Sequence, residues 1–470
     1  MCIGNNFTQI IEKDRQKIGL IYEEKTLSYE QLVQHIGSIQ QYLLDTLGTQ
    51  EKTRRIALKL GNEPSFIEVF FASVMLGYSC IPLDPKWTDE QLDYVLKNSK
   101  PDLIVTNDLY QEMLQVTSCS LRSFAKLGDL FYIGYTSGST GRPKGFMRNQ
   151  QSWIDSFNGS NEAFQISEHD IIAAPGPLCH SLSLFAAVYA IHIGATFILH
   201  RHFEGQGVIA SLQKYNATTM FVVPTMLKAM LDQKYDEVLS IAKILSSGAK
   251  WLPTQKQEIR RLFPNSERIE FYGASETSYI SYLNEEGFNR YPNSVGKVFP
   301  GVTVTIKGQN GHKLRANEIG LIFVNSTMLF SGYLEDQIDS ALNELTVGDL
   351  GYISEDGYLT LVGRQKNMII SGGLNIYPEE IEAFLKKHTC VEEAAVVGVP
   401  DEYWGEKVVA LIKIKSRQAL SKEDIVSFCK SGLSSYKCPK VFYSVQDFPY
   451  TSSGKIARTQ LDVSIGSEIL

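Results

Sequence analysis

The stretch Tyr135–Gly145, YTSGSTGRPKG, gathers residue types that can hold a phosphate. Gly138, Gly141 and Gly145 permit close backbone approach and positive φ. Successive N–H groups in such a loop form an anion nest. Thr136, Ser137, Ser139 and Thr140 add hydroxyl donors, and Lys144 adds a point charge suited to phosphate. The stretch is not a Walker loop, which requires Gly, four residues, then Gly-Lys-Ser/Thr. Counted from Gly138, Lys144 falls in register. Pro143, however, replaces the second glycine, and Gly145 replaces the metal-binding hydroxyl. A solvated Gly/Ser linker has a similar composition. The abrupt start after the apolar FYIG (Phe131–Gly134) and the single Pro-Lys favour anion binding.

Other reactive types are less organised. His200 and His202 flank Arg201, but with no third ligand nearby in sequence they read as surface or strand-end residues. The seven cysteines (Cys2, Cys80, Cys119, Cys179, Cys390, Cys429, Cys438) form no CxxC. That fits reduced thiols in the cytoplasm better than a disulfide frame or a zinc site. Cys179 adjoins His180, yet sequence neighbours seldom make a nucleophile–base pair, so Cys179 reads as a packing residue. Lys455, in YTSSGKIARTQL, is on its own an ordinary turn lysine.

These groups need elements to position them. A chain of 470 residues, 43% hydrophobic and 21% charged, has room for two or three soluble domains. A net charge of −7 offers no broad basic field to nucleic acid. No apolar run reaches the length of a membrane span, and the first residues lack the basic-then-apolar order of a signal peptide. From RIALKL to RIEFYG, strand-like and helix-like runs alternate, which predicts a parallel α/β sheet. Within them Thr88 caps TDEQLDYVLKN, with Gln91 as its capping-box partner. From about Val295 short β runs broken by glycine predict a small β subdomain. After Arg364 comes a unit of alternating helices and strands. The expected fold is α/β: a large N-terminal body of α/β sheets with a small β subdomain, residues 1–365, plus a mobile α+β C-terminal lid, residues 366–470. A cleft between body and lid is a usual place for a ligand.

Seven stretches stand in a fixed order: YTSGSTGRPKG, PLCHSLSL, SSGA, FYGASET, VGDLGY, GRQKNMIISGGLNIYPEEIE and SSGKIAR. The set resembles the adenylate-forming enzymes: acyl-CoA synthetases, peptide-synthetase adenylation domains and luciferases. The likeness runs from about Leu27 to Arg458 and is greatest to bacterial fatty-acid or acyl-CoA ligases. It implies that a carboxylic acid attacks the α-phosphate of ATP, giving acyl-AMP and pyrophosphate, and that a thiol then displaces AMP. It further implies a role for each matching residue. Thr136, Ser137, Gly138, Ser139, Thr140, Gly141 and Lys144 cradle the β- and γ-phosphates. Ser247, Gly248 and Ala249 line the adenine pocket, Tyr272 stacks on the ring, and Gly273 and Ala274 also bind the nucleotide. Ser275, where most relatives carry Thr, touches the α-phosphate, and Glu276 holds Mg²⁺. Asp349 and Arg364 bind the ribose, as an Asp ending one strand and an Arg ending the hairpin beyond. Lys455 bridges carboxylate and phosphate. Lys366 is the hinge, a position where many relatives carry Asp. Gly372 and Gly373 line the tunnel for the thiol of coenzyme A, and Lys437 either meets CoA phosphates or covers the surface.

The acid and the thiol are less defined. His180 matches the residue at the carboxylate end of the acyl pocket, and PLCHSLSL contains no acid to pair with an ammonium. A fatty, aliphatic or aryl acid is therefore expected, with CoA as acceptor. IPLDPKW (Ile81–Trp87) looks more like the peptide-synthetase version, which keeps open a stand-alone enzyme loading an aryl, acyl or amino acid onto a separate carrier protein. Fifteen residues follow Lys455, too few for a fused carrier domain. An inactive nucleotide-binding relative would be expected to lack Glu276, Asp349 or Lys455, and all three are present. An oxygenase of the luciferase kind would need a special substrate to which nothing points.

Overall fold

The structure, a computed structural model, describes residues 1–48, 53–117, 120–137, 143–232, 236–251, 253–335, 344–416, 418–450 and 456–469. It packs as two compact units: Met1–Thr303 with Val324–Leu345, and Val304–Phe323 with Thr346–Leu470.

The first unit holds two sheets. One runs in the order Gly296–Val298, Ser278–Leu283, Glu267–Ala274, Lys243–Ser246, Thr219–Val222, Ile171–Ala173, Thr196–Leu199, Ile18–Tyr22 and Lys25–Ser28. From Glu267–Ala274 across to Ile18–Tyr22 every neighbouring pair is parallel, as the alternating pattern predicts. The other sheet runs Leu103–Val105, Arg55–Leu58, Ser79–Pro82, Leu130–Ser137 and Pro143–Asn149. Helix Pro64–Met75 is buried at nearly every position and helix Ser181–Ile193 over Ser183–Ile191, because their sequences are apolar almost all round. Helix Asp89–Ser99 starts at the expected capping box. Thr88 Oγ1 accepts from Gln91 N at 3.3 Å and Gln91 Oε1 from Thr88 N at 3.1 Å.

The second unit contains the antiparallel strands Asp349–Ile353 and Tyr358–Arg364. It also contains a sheet in the order Leu374–Ile376, Ile369–Ser371, Gly405–Ile414, Val441–Val445 and Ser467–Glu468, with Val391–Asp401 beside Gly405–Ile414. Helices Pro378–Leu385 and Lys422–Gly432 give Ile381, Leu385, Ile425 and Cys429 to its core. No helix among the described residues is long and apolar enough to cross a membrane. The six described cysteines carry free thiols. His200 directly follows the strand Thr196–Leu199 and is tucked inward, with Nε2 2.7 Å from Ser211 Oγ.

Candidate active site

The carboxyl edge of the parallel strands carries one candidate group after another. Cys179 and His180 follow Ile171–Ala173, Ser247–Ala249 follow Lys243–Ser246, and Tyr272–Glu276 close Glu267–Ala274. In an open α/β sheet this edge is where ligands bind. Gly248 turns through φ 103, with open space where a Cβ would stand.

The turn Ser275–Thr277 joins Glu267–Ala274 to the antiparallel strand Ser278–Leu283. Gly273 pairs with Tyr279, and a Cβ on it would lie 1.8 Å from the Ser278 carbonyl oxygen, so only glycine closes this hairpin. Thr277 Oγ1 accepts from Ala274 N at 3.0 Å, and Thr277 N donates to Ala274 O at 3.1 Å. Arg148, which is 2% exposed, sits beneath the turn. Its Nη1 donates to Ser275 O at 2.7 Å, and its Nη2 to Ser278 Oγ at 3.0 Å and to Met328 O. Burial pulls its guanidinium down to about 10, still protonated at neutral pH.

Two lines of contact converge on this turn. Glu276 Oε1 accepts from the Tyr333 hydroxyl at 2.9 Å, and Lys144 Nζ stands 3.5 Å from the centre of the same ring. Tyr333 thus couples a cation to a carboxylate. Ser275 Oγ lies 3.5 Å from Ser181 Oγ, which is 3.3 Å from the Tyr132 hydroxyl. Arg148 and Tyr333 carried no signal in the sequence.

The YTSGSTGRPKG stretch is less of a loop than its composition suggests. Thr136 pairs with Lys144 and Ser137 with Pro143, in a hairpin of Leu130–Ser137 with Pro143–Asn149. Gly138, Ser139, Thr140 and Gly141 lie outside the described residues. Gly145 does not take a positive φ. It is needed for space, because a Cβ there would come within 3.1 Å of the Tyr135 ring.

At the start of helix Ser181–Ile193 an acid does appear, contrary to the expectation from PLCHSLSL alone. Asp84, buried and contributed by IPLDPKW, places Oδ2 3.8 Å from His180 Nε2. Burial pulls the His180 imidazole below its usual value, with Asp84 opposing the shift. The Cys179 thiol is pushed up to about 12 by burial and by Asp84, which fits the reading that it is no nucleophile.

In the second unit Asp349 and Arg364 are register partners, with Nε to Oδ1 at 2.8 Å, and Asp349 is buried. Asp349 opens its strand rather than ending it. Lys366 lies in the short 3₁₀ turn Gln365–Asn367. Gly372 and Gly373, at φ 58 and 78, form the exposed two-residue turn between Ile369–Ser371 and Leu374–Ile376. Lys437 Nζ is already paired with both Glu380 oxygens, at 2.7 and 2.8 Å. Lys455 lies outside the described residues, and Tyr450 and Ile456 on either side of it form an antiparallel bridge.

The AMP-binding enzyme family model matches residues 7–124 and 117–334, and the AMP-binding enzyme C-terminal domain matches residues 380–455. This chain belongs to the AMP-binding enzyme family. It is an adenylate-forming enzyme of the acyl-CoA ligase kind, an AMP-forming acid–thiol ligase. An uncharacterized acyl–CoA ligase, YhfT, of Bacillus subtilis strain 168 is 33% identical over 479 residues, covering 98% of each chain. A putative long chain fatty acid–CoA ligase, VraA, of Staphylococcus haemolyticus is 34% identical over 454 residues, covering 94% of each. Among solved structures, the o-succinylbenzoate CoA synthetase MenE of Bacillus subtilis, in complex with its acyl-adenylate intermediate, superposes with a TM-score of 0.87. It is 26% identical and covers 98% of this chain and 99% of its own. Another structure of that synthetase holds ATP and magnesium ion, with a TM-score of 0.85 at 26% identity, covering 97% and 99%.

Proposed function

We propose that this enzyme activates a carboxylic acid without an α-amino group, a fatty or aryl acid, as its acyl-adenylate. It then passes the acyl group to CoA in the cytoplasm, releasing AMP and pyrophosphate. The observation that carries the reading is the line from Lys144 through Tyr333 to Glu276 at the carboxyl edge of the sheet. It supplies a cation for phosphate oxygens and an oxygen ligand for the hard cation that accompanies ATP. Among the described residues the hydrogen bond to the Glu276 carboxylate falls on Oε1, which orients the group. An oriented carboxylate fits Mg²⁺, which when bound neutralises phosphate charge.

The remaining roles follow the same order along the chain. Thr136, Ser137 and Lys144, with residues 138–141 between them, receive the β- and γ-phosphates. Ser247–Ala249 and Tyr272–Ala274 enclose adenine, and Ser275 touches the α-phosphate. Asp349, steadied by Arg364, accepts the ribose hydroxyls. Lys455 meets the charge that grows at the α-phosphate. Lys366 is the hinge between residues 1–365 and a lid of residues 366–470. Gly372 and Gly373 let pantetheine pass, and Lys437 stands near CoA phosphates. His180, kept neutral by burial, faces the carboxylate end of the acid.

One observation favours a second reading. The Asp84 carboxylate beside His180 offers a partner to an α-ammonium group, as in an enzyme that loads amino acids onto a separate carrier protein. One experiment separates the two: acid-dependent pyrophosphate release from ATP–Mg²⁺ across a panel of fatty, aryl and amino acids, with and without CoA. We expect fatty or aryl acids to give acyl-CoA detectable by mass. Robust adenylation of an amino acid, or transfer to a carrier protein with none to CoA, overturns the first reading.

A further inference from the structure

We propose that Asp84, Cys179 and His180 form a binding site for a divalent cation of the zinc class, built from different residues than the Mg²⁺–ATP site. Among the described residues these three offer a carboxylate oxygen, a thiol sulfur and an imidazole nitrogen, all within 4.8 Å of one another. The groups converge without bonding to each other. His180 Nε2 and Asp84 Oδ2 are 3.8 Å apart, too far for a hydrogen bond. That is about half an ångström beyond the separation of two ligands on a tetrahedral zinc whose bonds are about 2 Å. Neither ring nitrogen of His180 hydrogen-bonds to a described residue. A small ion between the three side chains would satisfy all of them at once.

The surrounding chain fixes these donors. Asn62 Oδ1 accepts from Leu178 N at 2.8 Å, and Asn62 Nδ2 donates to Gly176 O at 2.9 Å, so one side chain clamps the segment that carries Cys179 and His180. His180 N closes the turn on Pro177 O at 3.1 Å. Lys86 N donates to Asp84 Oδ1 at 2.9 Å, which leaves Oδ2 as the oxygen turned toward His180. The Lys86 side chain is the positive charge felt at both Cys179 and His180. Two anionic ligands, Asp84 and the Cys179 thiolate, outweigh it. A mixed sulfur, nitrogen and oxygen set suits zinc, whereas magnesium and calcium take oxygens. Cys179 releases its thiol proton to solvent when the ion binds. Three protein ligands leave a fourth position open to water or to a carboxylate. If His180 stands at the carboxylate end of the acyl pocket, as the proposed function has it, the ion also competes with the acid.

The test is a titration of tag-free, metal-free enzyme with Co²⁺, whose thiolate charge-transfer band reports cysteine coordination. We expect one equivalent to bind with that band, Zn²⁺ to displace it, and Cys179→Ser to remove it in a protein of unchanged melting temperature. Asp84→Asn should weaken Co²⁺ binding at least about tenfold, and His180→Asn provides the same check should either variant fail to fold. Absence of the band from the wild type, or its survival in Cys179→Ser, overturns the proposal. A separate arm measures KM for the acid with and without Zn²⁺. Binding that leaves KM unchanged upholds the metal site and instead refutes the placement of His180 in the acyl pocket.

Discussion

The turn Ser275–Thr277 and the turn Gly372–Gly373 each join two antiparallel strands, and they are held in opposite ways. The first rests on a buried guanidinium, a glycine with no room for a Cβ, and a threonine bonded across the turn. The second is exposed and held by backbone conformation: both glycines are left-handed, as a tight type I′ hairpin requires, and Gly372 N donates to Trp404 O at 2.8 Å. The difference matches the role proposed for each. Groups that meet developing charge must be placed beforehand, since preorganised donors act most strongly when nothing has to move. A turn that a flexible ligand slides past needs room, and bare backbone provides it.

The sharpest way to break this contrast is to remove the support of the first turn. Arg148→Met removes the guanidinium donor from Ser275 O, Ser278 Oγ and Met328 O, of which Ser278 Oγ keeps the Ser156 hydroxyl. It should cost about 3 kcal/mol or more of stability in chemical denaturation, together with most of the acyl-adenylate formation. A folded variant of unchanged adenylation rate would show that the buried cation does not position the turn. Gly273→Ala comes next. Its Cβ meets the Ser278 carbonyl, so the hairpin must open, at about 3 kcal/mol. Gly373→Ala at the other turn meets nothing within 4 Å and bears only the left-handed strain of about 1 kcal/mol. Adenylation should survive there while transfer to CoA slows. Equal losses in both half-reactions for both glycines would erase the distinction between the turns.

The parts of this arrangement that the sequence announced are local or close in register. The Thr88–Gln91 capping box spans three residues. Asp349 and Arg364 end up as cross-strand partners. What stayed hidden depends on contacts made only in the folded chain. Arg148 reaches Ser275 across 127 positions, and Tyr333 reaches Glu276 across 57. No periodicity encodes such pairs. The strand Pro143–Asn149 was hidden for another reason. Its Pro, Lys and Gly look like loop residues, but pairing along Leu130–Ser137 overrides that weak preference. Asp84 was in view, yet a buried carboxylate at a turn gives no sign of which side chain it will face.

Lys455→Ala probes the chemistry without touching either turn. Acyl-adenylate formation should fall a hundredfold or more, about 3 kcal/mol of barrier, the scale of one preorganised electrostatic contact. Presynthesised acyl-adenylate with CoA should still react. Equal loss of both half-reactions in a folded variant would mean that the two steps share this lysine.

The smallest effect expected tests whether buried charge in the first unit always serves the site. Glu68 is fully buried among apolar residues of helix Pro64–Met75. Its carboxylate is satisfied by His35 Nδ1 at 2.9 Å and by the Tyr110 hydroxyl. The hydrogen bond that His35 donates to Glu68 raises the His35 pKa above its usual value, against the opposing effect of burial. Because the folded value is the higher one, protonated His35 adds stability that is fully present below the unfolded value of about 6.5 and is lost as pH rises through the folded value. His35 is about a third exposed, so solvent screening keeps the term below about 1 kcal/mol. His35→Gln should therefore lower the melting temperature slightly at pH 6 and progressively less as pH rises, with the acid-dependent pyrophosphate rate unchanged. A melting difference independent of pH would mean that His35 acts as a neutral hydrogen-bond partner. A change in the pyrophosphate rate would mean that this buried carboxylate, like Arg148, belongs to the machinery that positions the site.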